Sequence, residues 1–339
     1  MAIYKRTLNE VENKQELWYN LFKENYVEMK KIYIKLEGNK LKNIPLLSDT
    51  FKVIQPIKKG MSSDKKYFIT TNDGEHLLLR ISDFSELERK KVEYELINKF
   101  YAMNIPMPQP IDFGICDNKT EVYTLLSWVN GEEAEVIIPK LPKDEQYNLG
   151  KESGQILRKI HTLTVPENLD KWKTRYFSII DERLEAFRRE GNKFDGYETM
   201  LDYIENNRGL LDNRPQTYHH GDFHMGNLIL SPNKQLSVID WHTVDFENIG
   251  DPWYEFNRIG IEYPYFASGQ IDGYFSDDVP DDFWKLLAYY LSVSAITSIV
   301  WTKYFAPERL TSILDLNMDI LKWFSKFNCS KPTWYTGTK

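Results

Sequence analysis

The chain has 339 residues, 42% of them hydrophobic and 27% charged, an ordinary globular balance that allows a sizeable core and two lobes. Forty-three basic against fifty acidic side chains give a formal charge of −7, a field that disfavours nucleic acid or an anionic membrane as partner and leans towards cationic ones. Two cysteines, Cys116 and Cys329, lie far apart without metal-ligand spacing, which argues against a disulfide framework or a Cys-based zinc site and suits a reducing cytoplasm.

The opening MAIYKRTLNEVENKQ has no apolar stretch of the secretory kind. Residues 7–36 are charged and helix-permissive, with Leu8, Val11, Leu17, Leu21 and Val27 roughly on one face, predicting a helical extension over 1–45. From Phe51 the pattern becomes short β segments: FKVIQPI, then KKYFITT and HLLLRIS, the last two joined across Asn72-Asp73-Gly74 as a hairpin. Residues 84–103 have apolar positions at helical spacing and no Gly or Pro, and the proline-rich NIPMPQPIDFG stops them. A strand pair follows at Ile111–Ile115 and Val122–Trp128.

Beyond Gly131 the pattern is helical over Asp144–Leu163, Trp172–Arg189, Tyr197–Asn206 and most of 280–327, with two short strands inside NLILSPNKQLSVIDW. The apolar run Leu286–Trp301 contains Tyr289, Tyr290, Ser292 and Ser294 and is bounded by Lys285 and Lys303. It falls short of the ~18–20 residues a membrane span needs and predicts a buried helix. The layout is α+β, with a β-rich N-lobe over 46–130 and a mainly helical C-lobe over 131–339.

HHGDFHMGNLIL, His219 to Leu230, and SVIDWH, Ser237 to His242, carry the chemistry. Phosphoryl transfer asks for a carboxylate near the attacking hydroxyl and oxygen ligands for the Mg²⁺ ions that neutralise the phosphates. Asp222 in the loop, Asn227 five residues on and Asp240 at the end of the next strand supply such groups.

These two segments, with VIDWHTVDFENIGDPWYEF, resemble the catalytic and metal-binding signature of the aminoglycoside phosphotransferase and choline kinase family, which shares the protein-kinase-like fold. The resemblance covers roughly residues 50 to 260. It implies a two-lobed kinase-like α+β fold, Asp222 as catalytic aspartate, Asn227 and Asp240 as Mg²⁺ ligands, and His220 and Asp251 as supports of the loop. GMSSDKKYFI resembles the family's nucleotide loop, so Gly60, Ser62 and Ser63 would meet phosphate. Glu93 falls at the helix-glutamate position, thirteen residues before Pro106. Arg80 stands where the family usually has lysine, and a guanidinium forks where an ammonium is a point charge. In LLSWVNGEE the carbonyl of Ser127 and the amide of Val129 would hold adenine. His242 replaces a common acidic residue, and Trp128 gives this hinge unusual bulk.

The activity so implied is an ATP- and Mg²⁺-dependent small-molecule O-phosphotransferase, with GTP as an alternative donor. Protein substrates are disfavoured, because no H-R-D or D-F-G motif occurs in the C-terminal half. The resemblance puts the acceptor cleft on the helical lobe, where segment 244–282 holds ten acidic residues against the single basic Arg258; this is either a field for a cationic acceptor such as an aminoglycoside antibiotic or a solvated surface and helix N-cap. Kinases of choline, a methylthioribose-like sugar or homoserine stay open as alternatives, as does a pseudokinase-like binding module. Oligomeric state carries no sequence signal.

Overall fold

In the computed structural model the described residues are Ile44, 51–58, 63–116, 120–241, 248–259 and 263–337. The helical extension expected over 1–45 lies outside them apart from Ile44, as do Gly60, Ser62 and His242. Met1–Tyr94 with Gln109–Trp128 form one compact unit, and Glu95–Pro108 with Val129–Lys339 form a second.

The first unit is an antiparallel sheet of β1 (Phe51–Ile57), β2 (Lys65–Thr71), β3 (His76–Asp83), β4 (Pro110–Cys116) and β5 (Glu121–Ser127), in spatial order β1-β2-β3-β5-β4. In β2, Tyr67, Ile69 and Thr71 are buried and alternate with more accessible residues, the period of a half-buried strand. Ile54, Tyr67, Ile69, Leu77, Leu79, Ile81 and Leu125 share one apolar cluster. The β2–β3 hairpin forms across Asn72-Asp73-Gly74, where Gly74 takes φ +89°, a conformation glycine adopts without a Cβ clash. Helix α1 (Leu87–Ala102) enters after Asp83, whose carboxylate accepts the Ser85 amide at 2.9 Å.

In the second unit, β6 (Glu132–Glu133) leads through a helical turn, α2 (Ala134–Ile137), to α3 (Lys143–Ile160), α4 (Trp172–Glu190) and α5 (Tyr197–Asn206). Strand β7 (Thr217–Tyr218) precedes β8 (Leu228–Leu230) and β9 (Leu236–Val238), and β10 (Ile249–Gly250) returns to pair with β7. Strands β6, β8 and β9 form a small sheet in that order. Then come α6 (Pro264–Phe275), α7 (Asp281–Phe305) and α8 (Leu310–Trp323).

Helix α6 is an element the sequence pattern did not assign, because Gly269 and Gly273 weaken it as a helix former. Its glycines are explained by packing against α3. A Cβ on Gly150 would meet the Phe266 carbonyl oxygen at 2.2 Å, and one on Gly269 would meet the Tyr147 carbonyl oxygen at 2.0 Å. Gly154 and Gly273 meet the same obstruction at 2.0 and 2.1 Å, so the two helices approach backbone to backbone. Helix α7 is apolar and long enough to cross a membrane by composition, yet 72% of that stretch is buried inside the protein, as predicted for a core helix.

Candidate functional site

The stretch after β7 is locked by its own backbone. Gly221 takes φ +89°, which turns the chain sharply between His220 and Asp222. The His220 amide donates to Glu255 Oε2 at 2.9 Å and the Gly221 amide to Oε1 at 2.8 Å. The His220 ring is fully buried; its Nε2 donates to the Ile239 carbonyl at 3.1 Å while Nδ1 accepts the Asp222 amide at 3.3 Å. One imidazole thereby joins the loop to the end of β9.

Asp222 is anchored from the C-terminal side. Asn227 Nδ2 donates to the Asp222 carbonyl at 2.9 Å and to its Oδ2 at 3.2 Å. His224 Nδ1 accepts the Gly226 amide at 3.0 Å, so Nε2 carries the proton and points at Asp222 Oδ2 at 3.4 Å. The Ile239 amide donates to the Asn227 carbonyl at 2.9 Å, and Leu228 pairs with Val238 in the β8–β9 ladder. Asp240 therefore follows directly on a residue bonded to Asn227. It adopts φ +59°, a left-handed conformation uncommon outside glycine and concentrated at functional turns.

Beneath the loop lies Glu255, which the sequence reading did not single out. It is buried and also takes a hydrogen bond from His161 Nε2 at 2.9 Å, while His161 Nδ1 accepts from the Tyr274 hydroxyl at 2.8 Å. Burial alone would raise the Glu255 carboxyl; the bond from His161 and the adjacent imidazoles of His219 and His220 outweigh it and bring it down to about 2. Burial pulls His161 below its ordinary value, more than the bond to Glu255 raises it. Asp251 is the second residue expected to support the loop. Its carboxylate takes Arg214 Nε at 2.6 Å, Arg214 Nη2 at 2.9 Å and the Tyr290 hydroxyl at 2.9 Å. It also caps the 3₁₀ segment Pro252–Arg258 through the Trp253 amide, so its support reaches the loop through Glu255 on that segment.

In the first unit, Arg80 and Glu93 do come together, but loosely: the guanidinium Nη1 lies 3.8 Å from Glu93 Oε1. Among the described residues Arg80 pairs more closely with Asp64, whose Oδ2 accepts Nε at 3.0 Å and Nη2 at 2.7 Å. Lys90, itself 5% exposed, reaches the same Asp64 oxygen at 2.8 Å and Glu93 Oε2 at 3.3 Å. Among the described residues two cations and two anions meet there, and the Ser82 hydroxyl donates to Asp64 Oδ1 at 2.7 Å. Burial would raise the Asp64 carboxyl; Arg80 and Lys90 together hold it well below the usual carboxylate range. The i,i+3 spacing of Lys90 and Glu93 on α1 was a readable signal for that pair, whereas nothing in the sequence tied Asp64 to them. Ser63 is exposed, Ser127 closes β5 with its Oγ accepting the Gln109 amide at 2.8 Å, and Val129 opens the second unit half-buried. Trp128 packs edge-on to Phe68 with ring centroids 4.8 Å apart.

The model of the phosphotransferase enzyme family matches residues 53–279, well over half of the sequence. The chain belongs to this family. No curated protein matches this phosphotransferase at a significant level. Among solved structures, a choline/ethanolamine kinase family protein from Mesorhizobium loti aligns with a TM-score of 0.61 at 14% identity, covering 89% of this chain and 99% of that one. The GDP and kanamycin complex of APH(2")-IIIa gives 0.61 at 14% identity, with 85% and 99% covered. Macrolide 2'-phosphotransferase type I gives 0.56 at 16%, with 78% and 91% covered. The fold is the α+β protein-kinase-like fold, β-sheet in the N-terminal region and helical in the C-terminal part.

The acidic residues of segment 244–282 are largely committed inside this phosphotransferase. Asp251 and Glu255 are buried braces, Asp272 is buried and accepts from the Tyr147 and Tyr335 hydroxyls, and Asp277 pairs with Lys151 at 2.8 Å. Asp278, Asp281 and Asp282 are exposed, the last two in the first turn of α7, where acids complement the helix dipole. Asp245, Glu247 and Glu262 lie outside the described residues. Among the described residues, the acidity is mostly structural and gives little support to a polycation-gathering field.

Proposed function

We propose that this phosphotransferase transfers the γ-phosphoryl group of ATP to a hydroxyl of a small molecule, with Mg²⁺ required and GTP as an alternative donor. The observation that carries the reading is the hydrogen-bonded assembly of Asp222, Asn227 and Ile239, which sets a carboxylate, an amide and the strand-end Asp240 in one framework. Asn227 Nδ2 and His224 Nε2 both meet Asp222 Oδ2, so the carboxylate is held in orientation to accept or position the proton of an acceptor hydroxyl.

The donor set fits a hard cation. Asn227 spends its amide nitrogen on Asp222, which leaves the oxygen edge for a ligand, and Asp240 adds a carboxylate; Mg²⁺ prefers oxygen donors of this kind. Bound there, Mg²⁺ would neutralise phosphate charge. Arg80 would position the phosphates from β3, with Gly60, Ser62 and Ser63 in the nucleotide loop, Glu93 orienting Arg80, and Ser127 and Val129 holding the base. Support for nucleotide binding comes from a relative solved with GDP and another solved with ADP.

The sequence reading of the acceptor is an aminoglycoside, with antibiotic resistance as its role, and the kanamycin-bound relative supports testing it. The internal commitments of Asp251, Glu255, Asp272 and Asp277 favour a second reading, a kinase of a less cationic metabolite. A reducing cytoplasm suits both. The test is ADP release from ATP·Mg²⁺ across a panel of hydroxylated amines, sugars, glycosides and kanamycin, repeated with GTP and with EDTA. Turnover that persists in EDTA, or no acceptor-stimulated turnover at all, refutes the reading.

A further inference from the structure

The second unit contains a cavity of about 680 Å³ lined by α4, the 3₁₀ segment after Asp251, α7 and the start of α8, within the roughly 300–1,000 Å³ usual for small-molecule sites. Its floor is buried and apolar: Tyr176 and Ile180 from α4, Tyr254, and Val293 from α7. Its rim is aromatic and open. Trp301, Tyr304 and Phe305 line it while 45%, 58% and 71% exposed, and the Trp301 and Phe305 rings stack with centroids 5.6 Å apart. An accessible aromatic shelf of this kind marks a binding surface more often than plain exterior.

The charge at this rim has one sign. Arg183 and Arg309 line the cavity, and neither guanidinium makes an ion pair or a hydrogen bond with any described residue. No Asp or Glu is among the described lining residues. The nearby Glu190 carboxylate is already engaged by the Tyr304 hydroxyl at 2.6 Å and by Arg189 at 3.0 Å. The cavity also adjoins the catalytic loop along the chain. Tyr254 immediately precedes Glu255, which holds the His220 and Gly221 amides, and its ring faces that of His219 at 6.2 Å.

From these observations we propose that the cavity is the acceptor pocket and that the acceptor is a hydroxylated compound with an apolar or aromatic ring body and an anionic group, held on the Trp301 shelf and by Arg183 and Arg309. This rests on the phosphotransferase reading above for the use of the pocket, and on the cavity alone for the class of ligand. Unpaired guanidiniums attract a carboxylate or phosphate and repel the ammonium groups of an aminoglycoside.

Isothermal titration of the full chain without nucleotide tests the class, using phenyl β-D-glucuronide, the uncharged phenyl β-D-glucoside and kanamycin as probes. The glucuronide should bind 1:1 and at least about fivefold tighter than the glucoside, two exposed charge contacts being worth about that much. Arg183→Ala/Arg309→Ala should erase the difference, and Trp301→Ala should weaken both glycosides, with circular dichroism confirming that each variant is folded. Kanamycin should not bind. The proposal is overturned if the glucuronide fails to bind, holds no advantage over the glucoside, or keeps its advantage in the double variant, or if kanamycin binds more tightly. Binding with the expected mutational pattern, but no ADP release with either glycoside or any other acceptor, refutes the phosphotransferase reading and leaves the ligand class standing.

Discussion

The two charged centres of this protein are built on opposite principles. In the second unit, the loop carrying Asp222 is fixed by neutral donors: two backbone amides on Glu255, an asparagine amide on Asp222 and a buried imidazole on the Ile239 carbonyl. In the first unit, Arg80 is fixed by full charges, sharing Asp64 with Lys90 beside Glu93. Hydrogen bonds to backbone set geometry without competing for the metal or phosphate. A balanced buried quartet of charges gives position at a desolvation cost, and losing one member leaves the others uncompensated. The loop is therefore held by directional hydrogen bonds, and the quartet is an arrangement whose balance a bound polyphosphate would change.

Breaking the loop should have the larger kinetic effect. Asp222→Ala is expected to lower kcat by ~10²–10⁴ with little change in KM for ATP, since a positioned base acts on the chemical step; steady-state kinetics check it, and retention of most turnover removes Asp222 from the chemistry. Glu255→Gln replaces an acceptor of three hydrogen bonds by a group that must turn an NH₂ towards one of the donors. It should cost roughly 1–3 kcal/mol in urea unfolding and lower kcat more than it changes KM for ATP. An unaltered kcat would mean that loop geometry does not depend on this brace.

The quartet should respond in KM. Arg80→Ala is expected to raise KM for ATP by roughly tenfold with a smaller fall in kcat, because the lost contact is made in the ground state as well. Lys90→Met should produce a weaker change in the same direction, together with lower stability. Equal kcat losses in both variants, with KM untouched, would erase the contrast between the two centres.

Acid should sharpen the contrast most gently. His161 is depressed below its ordinary 6.5 and Glu255 is depressed from 4.5 to about 2, so the unfolded chain binds more protons than the folded one and stability rises with pH. Stability should decline as pH falls below about 6.5, where only unfolded His161 takes up its proton, and decline further from 4.5 towards 2 as unfolded Glu255 protonates first. Thermal denaturation at pH 8, 6, 5 and 4 measures this; Glu255→Gln should flatten the lower part of the curve, and an identical slope in both proteins would disprove the assignment.

What could be read from the sequence was whatever is local along the chain. Asp222, Asn227 and Asp240 lie within one loop and one hairpin, so spacing alone brings them to the same element, and Arg80 was legible from its place in the strand segment HLLLRIS where the resembled family usually has lysine. Glu93 was legible from the helix-glutamate position of the resembled family, thirteen residues before Pro106. Contacts between distant segments had no such signature. Asp64 meets Lys90 because α1 is packed beside β3, and Glu255 lies under Gly221 because the 3₁₀ segment returns beneath the loop. The acidic stretch looked like a surface field because a sequence shows charge but not burial. Helix α6 was missed for the same reason: its glycines read as breakers until α3 was placed against them, where only the absence of a Cβ lets the two backbones meet. Local periodicity determined the elements and the catalytic signature; packing decided which charges were spent inside, which cations were left facing a cavity, and how closely two helices could approach.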